Sequence, residues 1–84
     1  MARIIDGSNF NLIGKNLKKI RKKAKISQQT LSNKLELLGV YVCRGSISRI
    51  EDNLRTVTDI ELYAIAHALN VSIDDLFDKS LIGF

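Results

Sequence analysis

The 84-residue chain has no proline, no tryptophan, one cysteine and one histidine. With no proline and no low-complexity stretch, no linker divides it, and its length is that of one domain. One cysteine cannot close an internal disulfide, and with a single histidine it cannot build a zinc site. No metal is expected, and a reducing, cytoplasmic compartment is. Three phenylalanines and two tyrosines are too few for a platform that stacks single-stranded bases. No apolar run approaches the ~20 residues that span a bilayer, so no membrane is expected as a partner. The start, residues 1–6, shows neither an apolar export segment nor a cleavage site. Nucleophilic catalysis needs Ser or Cys beside His and an acid, and no such set stands out. There is no glycine-rich phosphate loop and no distinctive carboxylate pair. Neither an enzyme nor a cofactor is expected.

Charge is plentiful and uneven. Residues 1–51 carry eleven Lys/Arg against three acids, whereas residues 52–84 carry two against six. The bland explanation is a solvated surface; the other is a polyanion approaching one side of the molecule.

Apolar residues recur at spacings of three and four, which predicts helices throughout. Four helix starts share one pattern: a cap residue with an apolar residue before it and another four positions into the helix. Ser27 caps the second helix, with Ile26 and Leu31 around it; Cys43 holds that place in the third, between Val42 and Ile47. Thr58 caps the fourth, with Val57, Leu62 and a capping-box Glu61; Ser72 caps the fifth, with Val71, Leu76 and Asp75.

The first helix is marked more weakly, with Asn11 as its cap and Ile13, Leu17, Ile20 and Ala24 as its stripe. The second spans about 28–38, with Leu31, Leu35 and Leu38 inward and Gly39 ending it. The third runs from Arg44 to about Asp52, with Ile47, Ile50 and then Leu54 inward and Asn53 as its stop. The fourth spans 59–69, with Leu62, Ile65, Ala66 and Leu69 inward and Asn70 as its stop. The fifth is short, from Ile73 to about Asp78. The expected fold is all-α, a five-helix bundle over residues 11–78. A loosely held extension (1–10) and a short tail (79–84) flank it. The apolar end of that tail, residues 81–84, either adds to a dimer surface or frays.

The order of these pieces resembles a known family. Ile20-Arg21, Ser27-Gln28-Gln29-Thr30-Leu31, Ile47-Ser48-Arg49-Ile50-Glu51 and the run from Ala66 to Phe77 are similar to the phage-repressor, Cro-type helix-turn-helix domains, also called the XRE family. The resemblance spans roughly three quarters of the chain. It implies a lambda-repressor-like bundle in which helices two and three form the helix-turn-helix and the third lies in the major groove. Ser32 supplies the small residue that lets the two helices pack closely.

By that resemblance the base-reading positions are Arg44, Gly45, Ser48 and Arg49. Arginine forks suit guanine edges; Gly45 has no side chain to read with. Phosphate contacts are expected from Gln28, Gln29, the helix start at Cys43, and Arg55. Most of the helix-one lysines are read as a solvated face. Arg21 and Glu51 are expected to pair between helix one and the end of the recognition helix. The implied partner is double-stranded DNA, as an inverted repeat bound by a homodimer, and the implied role is transcriptional regulation. The alternative is a protein-interaction module on the same fold, antitoxin-like or an adaptor, using Asp59, Glu61, Asp74, Asp75 and Asp78.

One departure stands out. The interval from Leu31 to Ile47 is about five residues longer than the family pattern, which lengthens helix two and the turn. Tyr41 in that turn either reaches a phosphate or covers the core; the second reading is preferred. A thiol at a helix start gains reactivity, but Cys43 is read first as a poor replacement for a serine cap.

Overall fold

The computed structural model describes residues 7–77, and every regular element among them is a helix. In chain order these are α1 (Gly14–Lys23), α2 (Gln28–Leu37), α3 (Arg44–Glu51), α4 (Asp59–Ala68) and α5 (Ile73–Leu76).

The capping residues fix the starts. Ser27 accepts from the Thr30 N–H, and Thr58 with Glu61 and Ser72 with Asp75 form reciprocal capping boxes. Cys43 occupies the same place on α3 but makes no side-chain cap bond. All eight apolar residues bracketing these caps are buried or half-buried.

The ends follow one rule as well. Residues Lys25, Gly39, Asn53 and Asn70 adopt left-handed φ of 60°, 83°, 58° and 56°. The next N–H then reaches back to a carbonyl of the last turn: Ile26 to Arg21 (3.1 Å), Val40 to Leu35 (3.0 Å), Leu54 to Arg49 (2.8 Å) and Val71 to Ala66 (3.0 Å). Glycine and asparagine announce three of these stops. Lys25 does not, because a lysine rarely takes that conformation.

The core consists of Ile13, Leu17, Leu31, Leu35, Val42, Ile47, Ile50, Ala64, Ile65, Ala66, Leu69 and Leu76. Through it α2 packs on α3 and α4, α1 on α3 and α5, and α4 on α5. Two helices thus hold α3 from behind.

Several expectations are corrected. Helix two stops at Leu37 and α3 at Glu51, with Leu38 and Asp52 as their C-caps. Helix four stops at Ala68, one residue short. Leu38 and Leu54 are exposed (43% and 63%): Leu38 lies on an open apolar groove beside Val40 and Tyr63, and Leu54 follows Asn53, whose left-handed φ takes the chain off the helical path. Ala24, the C-cap of α1, is exposed as well. Helix five ends at Leu76, and Phe77 is already extended. Helix one begins at Gly14 with Ile13 as its cap residue, yet Asn11 still serves the helix start: its Oδ1 accepts from the N–H groups of Ile13 (3.1 Å) and Gly14 (2.7 Å). Within the segment read as a loosely held extension, Asn9 and Phe10 are hydrogen-bonded to Asn53. Residues 1–6, the tail from 79 and Asp78 lie outside the described residues.

The start of α4 carries a pH dependence. Arg55 donates to both carboxylate oxygens of Glu61 (2.9 and 2.6 Å), and the Thr58 N–H donates to Oε1 as well (3.0 Å). The Arg55 bond, before the others, holds the Glu61 carboxyl below its ordinary range. The stability this contributes is complete above the unfolded carboxyl pKa of ~4.3 and is lost as pH falls through the lower folded value. Glu61→Gln is therefore expected to flatten the fall in urea midpoint between about pH 5 and 3. Equal slopes for the two proteins would show that Glu61 is not one of the groups responsible.

Candidate nucleic-acid interface

The α3 sequence splits into two faces. Ile47 and Ile50 are fully buried, and Glu51 beside them is only 7% exposed. Arg44, Gly45 and Arg49 are exposed, and Ser48 is half-buried. The buried side is fixed by the 47–50–51 spacing, which leaves 44, 45, 48 and 49 to point away from the core.

Between this outward side and α2 lies an open polar concavity of about 680 Å³. Arg44, Gly45 and Ser48 line it from α3, Gln28 and Gln29 from the first turn of α2, and Cys43 from the start of α3. Six of the expected contact residues thus share one surface. Arg44 and Arg49 form no ion pair with any described residue, whereas Arg21 and Arg55 both do.

The lengthened turn closes without disturbing this surface. Ser32, buried on α2, donates to the Val42 carbonyl (2.7 Å), so the turn is pinned to the helix before α3 begins. Val42 is buried and Tyr41 is 79% exposed. The preferred reading of Tyr41 as a core cover is therefore wrong: Val42 takes the inward place in the turn, and Tyr41 faces out, onto the rim of the concavity.

Arg55 and Gln28 are engaged elsewhere within the protein. Arg55 donates to Glu61 and to the Thr56 carbonyl (3.0 Å), so a phosphate there competes with an existing partner. The Gln28 amide donates to Glu51 (3.0 Å), which leaves its backbone N–H as the free donor at the α2 start. Gln29 donates to Asn33 one turn on (3.0 Å).

Arg21 and Glu51 form the expected pair, and it is buried. Arg21 Nε and Nη2 donate to the two Glu51 oxygens (2.6 and 3.0 Å), and Nη1 donates to the Ile26 carbonyl (2.8 Å). The bond to Glu51 raises the Arg21 pKa despite burial. The pair ties α1 to the last turn of α3, and Gln28 ties the first turn of α2 to the same carboxylate.

A second clamp has no counterpart in the sequence reading. Asn11 Nδ2 donates to the carbonyls of Ile50 (3.1 Å) and Arg55 (2.8 Å). Asn53 Oδ1 accepts from the N–H groups of Phe10 (2.9 Å) and Asn11 (3.0 Å). The C-terminal end of α3 is thereby strapped to residues some 40 positions earlier, and no local pattern signals that. Asn33 and Glu36, also on the concavity, were detectable in principle: they follow Gln29 at helical spacing.

Cys43 is exposed at the start of α3, with its thiol 3.5 Å from the Ser46 hydroxyl. That hydroxyl first, and then the backbone N–H groups of Ser46 and Gly45, hold the thiol below its usual range. No group of metal-ligating side chains occurs among the described residues, nor does any helix long and apolar enough to cross a membrane.

No curated protein matches the chain. A family model described as a helix-turn-helix domain matches residues 14–82, which takes in all five helices. That match and the all-helical bundle agree, and the chain belongs to the helix-turn-helix domain family.

Proposed function

We propose that the protein is a sequence-specific binder of double-stranded DNA and acts as a transcriptional regulator of the Cro-type. The binding unit spans about residues 11–78, in a cytoplasmic homodimer on an inverted repeat. One observation carries this: a single open polar surface gathers Gln28, Gln29, Cys43, Arg44, Gly45 and Ser48, while the opposite side of α3 is fully buried. Arg44 and Arg49 read base edges, with Ser48 beside them. The backbone N–H groups at the starts of α2 and α3 receive phosphates. Glu36 on the same surface repels phosphate and accepts only from base donors, such as the cytosine amino group. A single module with so few base contacts discriminates weakly, which favours two copies about one helical turn apart, ~34 Å.

In-vitro selection from a random duplex pool, repeated at two salt concentrations, tests the reading. An enriched motif is expected, with affinity falling steeply as salt rises. Arg44→Ala and Arg49→Ala should each relax one base position by ~1–3 kcal/mol. A pool without enrichment, and binding indifferent to both substitutions, would reject it.

The second reading is a protein-interaction module, favoured by an apolar groove of about 410 Å³ lined by Leu38, Val40, Ile60, Tyr63, Ala64 and His67. Two of the acids that reading would use are already occupied: Glu61 and Asp75 serve their own helix starts. A stoichiometric protein partner, with DNA affinity staying non-specific, would select this reading.

A further inference from the structure

Gly45 looked like a lost base contact in the sequence; in the structure it is occupied from one turn away. An ideal Cβ at position 45 would lie 3.7 Å from Arg49 Nη1 and 3.9 Å from Nη2. The Arg49 guanidinium therefore rests over the glycine, and its Nη2 stands 3.4 Å from the Ser46 hydroxyl. Helical side chains lean towards the N-terminus, so residue 49 reaches positions 45 and 46 along one face. Arg49 has no acidic partner among the described residues to draw it elsewhere. Gly45 lines the α2–α3 concavity and Arg49 does not, so this posture brings the guanidinium to the edge of that surface.

We infer that Gly45 is a seat and Ser46 a positioning residue, which together hold the Arg49 fork at the groove-entering end of α3 to determine specificity there. The inference rests on the DNA-binding reading above and names the device that sets one of its base preferences. A guanidinium already parked in its reading posture loses less rotamer freedom on binding. The size rule is sharp: an alanine methyl at position 45 only touches the guanidinium, whereas a longer side chain takes its place.

Two measurements on the full chain test this. In the free protein, a nuclear Overhauser contact is expected between the Arg49 δ protons and the Gly45 α protons. It should weaken in Ser46→Ala and persist in Ser46→Thr. In duplex selection, Arg49→Ala identifies the base position that Arg49 reads. Gly45→Ala, whose methyl only touches the guanidinium, should cut that preference far less than Gly45→Leu, which should cut it about tenfold or more; Ser46→Ala should cut it about threefold, with other positions unchanged. Position 45 is exposed, so the leucine variant should keep the wild-type helical circular dichroism. If Gly45→Leu keeps the Arg49-dependent preference, or the Overhauser contact is absent, the seat is wrong while DNA reading stands. If the contact is present and no motif enriches, DNA reading fails and this inference with it.

Discussion

Gly14→Ala is expected to destabilise the protein by about 3 kcal/mol. Gly14 opens α1, and a Cβ built there collides with the Ile50 carbonyl oxygen and lies only 3.1 Å from Asn11 Oδ1. The first obstacle is backbone in the last turn of α3, so no rotamer change relieves it. Either α1 or α3 has to move, and the hydrogen bonds of Asn11 to the Ile50 and Arg55 carbonyls move with it. For a domain of this size the melting temperature should fall by about 12–24 °C. Thermal and urea unfolding of the single variant measure it. A melting point within a degree or two of wild type would mean that the two backbones do not approach this closely.

Glu51→Ala is expected to cost about 3–5 kcal/mol. The carboxylate is almost wholly enclosed, with its side chain at 1% exposure, and Arg21 opposite it is at 9%. Removing the acid leaves a buried guanidinium with only the Ile26 carbonyl, and leaves the Gln28 amide without its acceptor. Because the loss comes from a stranded charge more than from the bond itself, Arg21→Met with Glu51→Leu should recover much of it. A double-mutant cycle by urea denaturation reads both numbers. A cost below about 1 kcal/mol for Glu51→Ala would be that of a solvent-exposed pair and would contradict the burial of Arg21 and Glu51. Since the pair joins α1 to the end of α3, the single variant should also weaken the proposed DNA binding more than its distance from Arg44 suggests.

Much of this arrangement was legible in the residues themselves. Ser27, Thr58 and Ser72 marked helix starts because a cap is a local bond between a side chain and an N–H two or three positions on. Gly39, Asn53 and Asn70 marked stops because few residues tolerate a left-handed φ. Ile47 and Ile50 showed which side of α3 hides, and so which arginine-bearing side shows. The Arg21–Glu51 pair came from the resemblance, not from spacing, since thirty residues separate its members.

What was not legible shares one cause. The Asn11–Asn53 clamp, the close approach of Gly14 to Ile50, the outward turn of Tyr41 and the Arg55–Glu61 pair each depend on where an already formed element comes to rest. Arg49 over Gly45 was closer to hand, being a contact of four residues, but a flexible side chain has many rotamers and the sequence does not choose among them.

The chain alone determined the kind and number of helices, their limits to within a residue or two, and the surface of α3 that stays free. Those features are set by short-range bonds and by the 3.6-residue period, which act before any packing occurs. Only the tertiary structure decided how α3 is held, by backbone contact with α1, a buried ion pair and an asparagine strap. Such contacts join positions thirty to forty-four residues apart, and they arise only when packed helices bring those positions together.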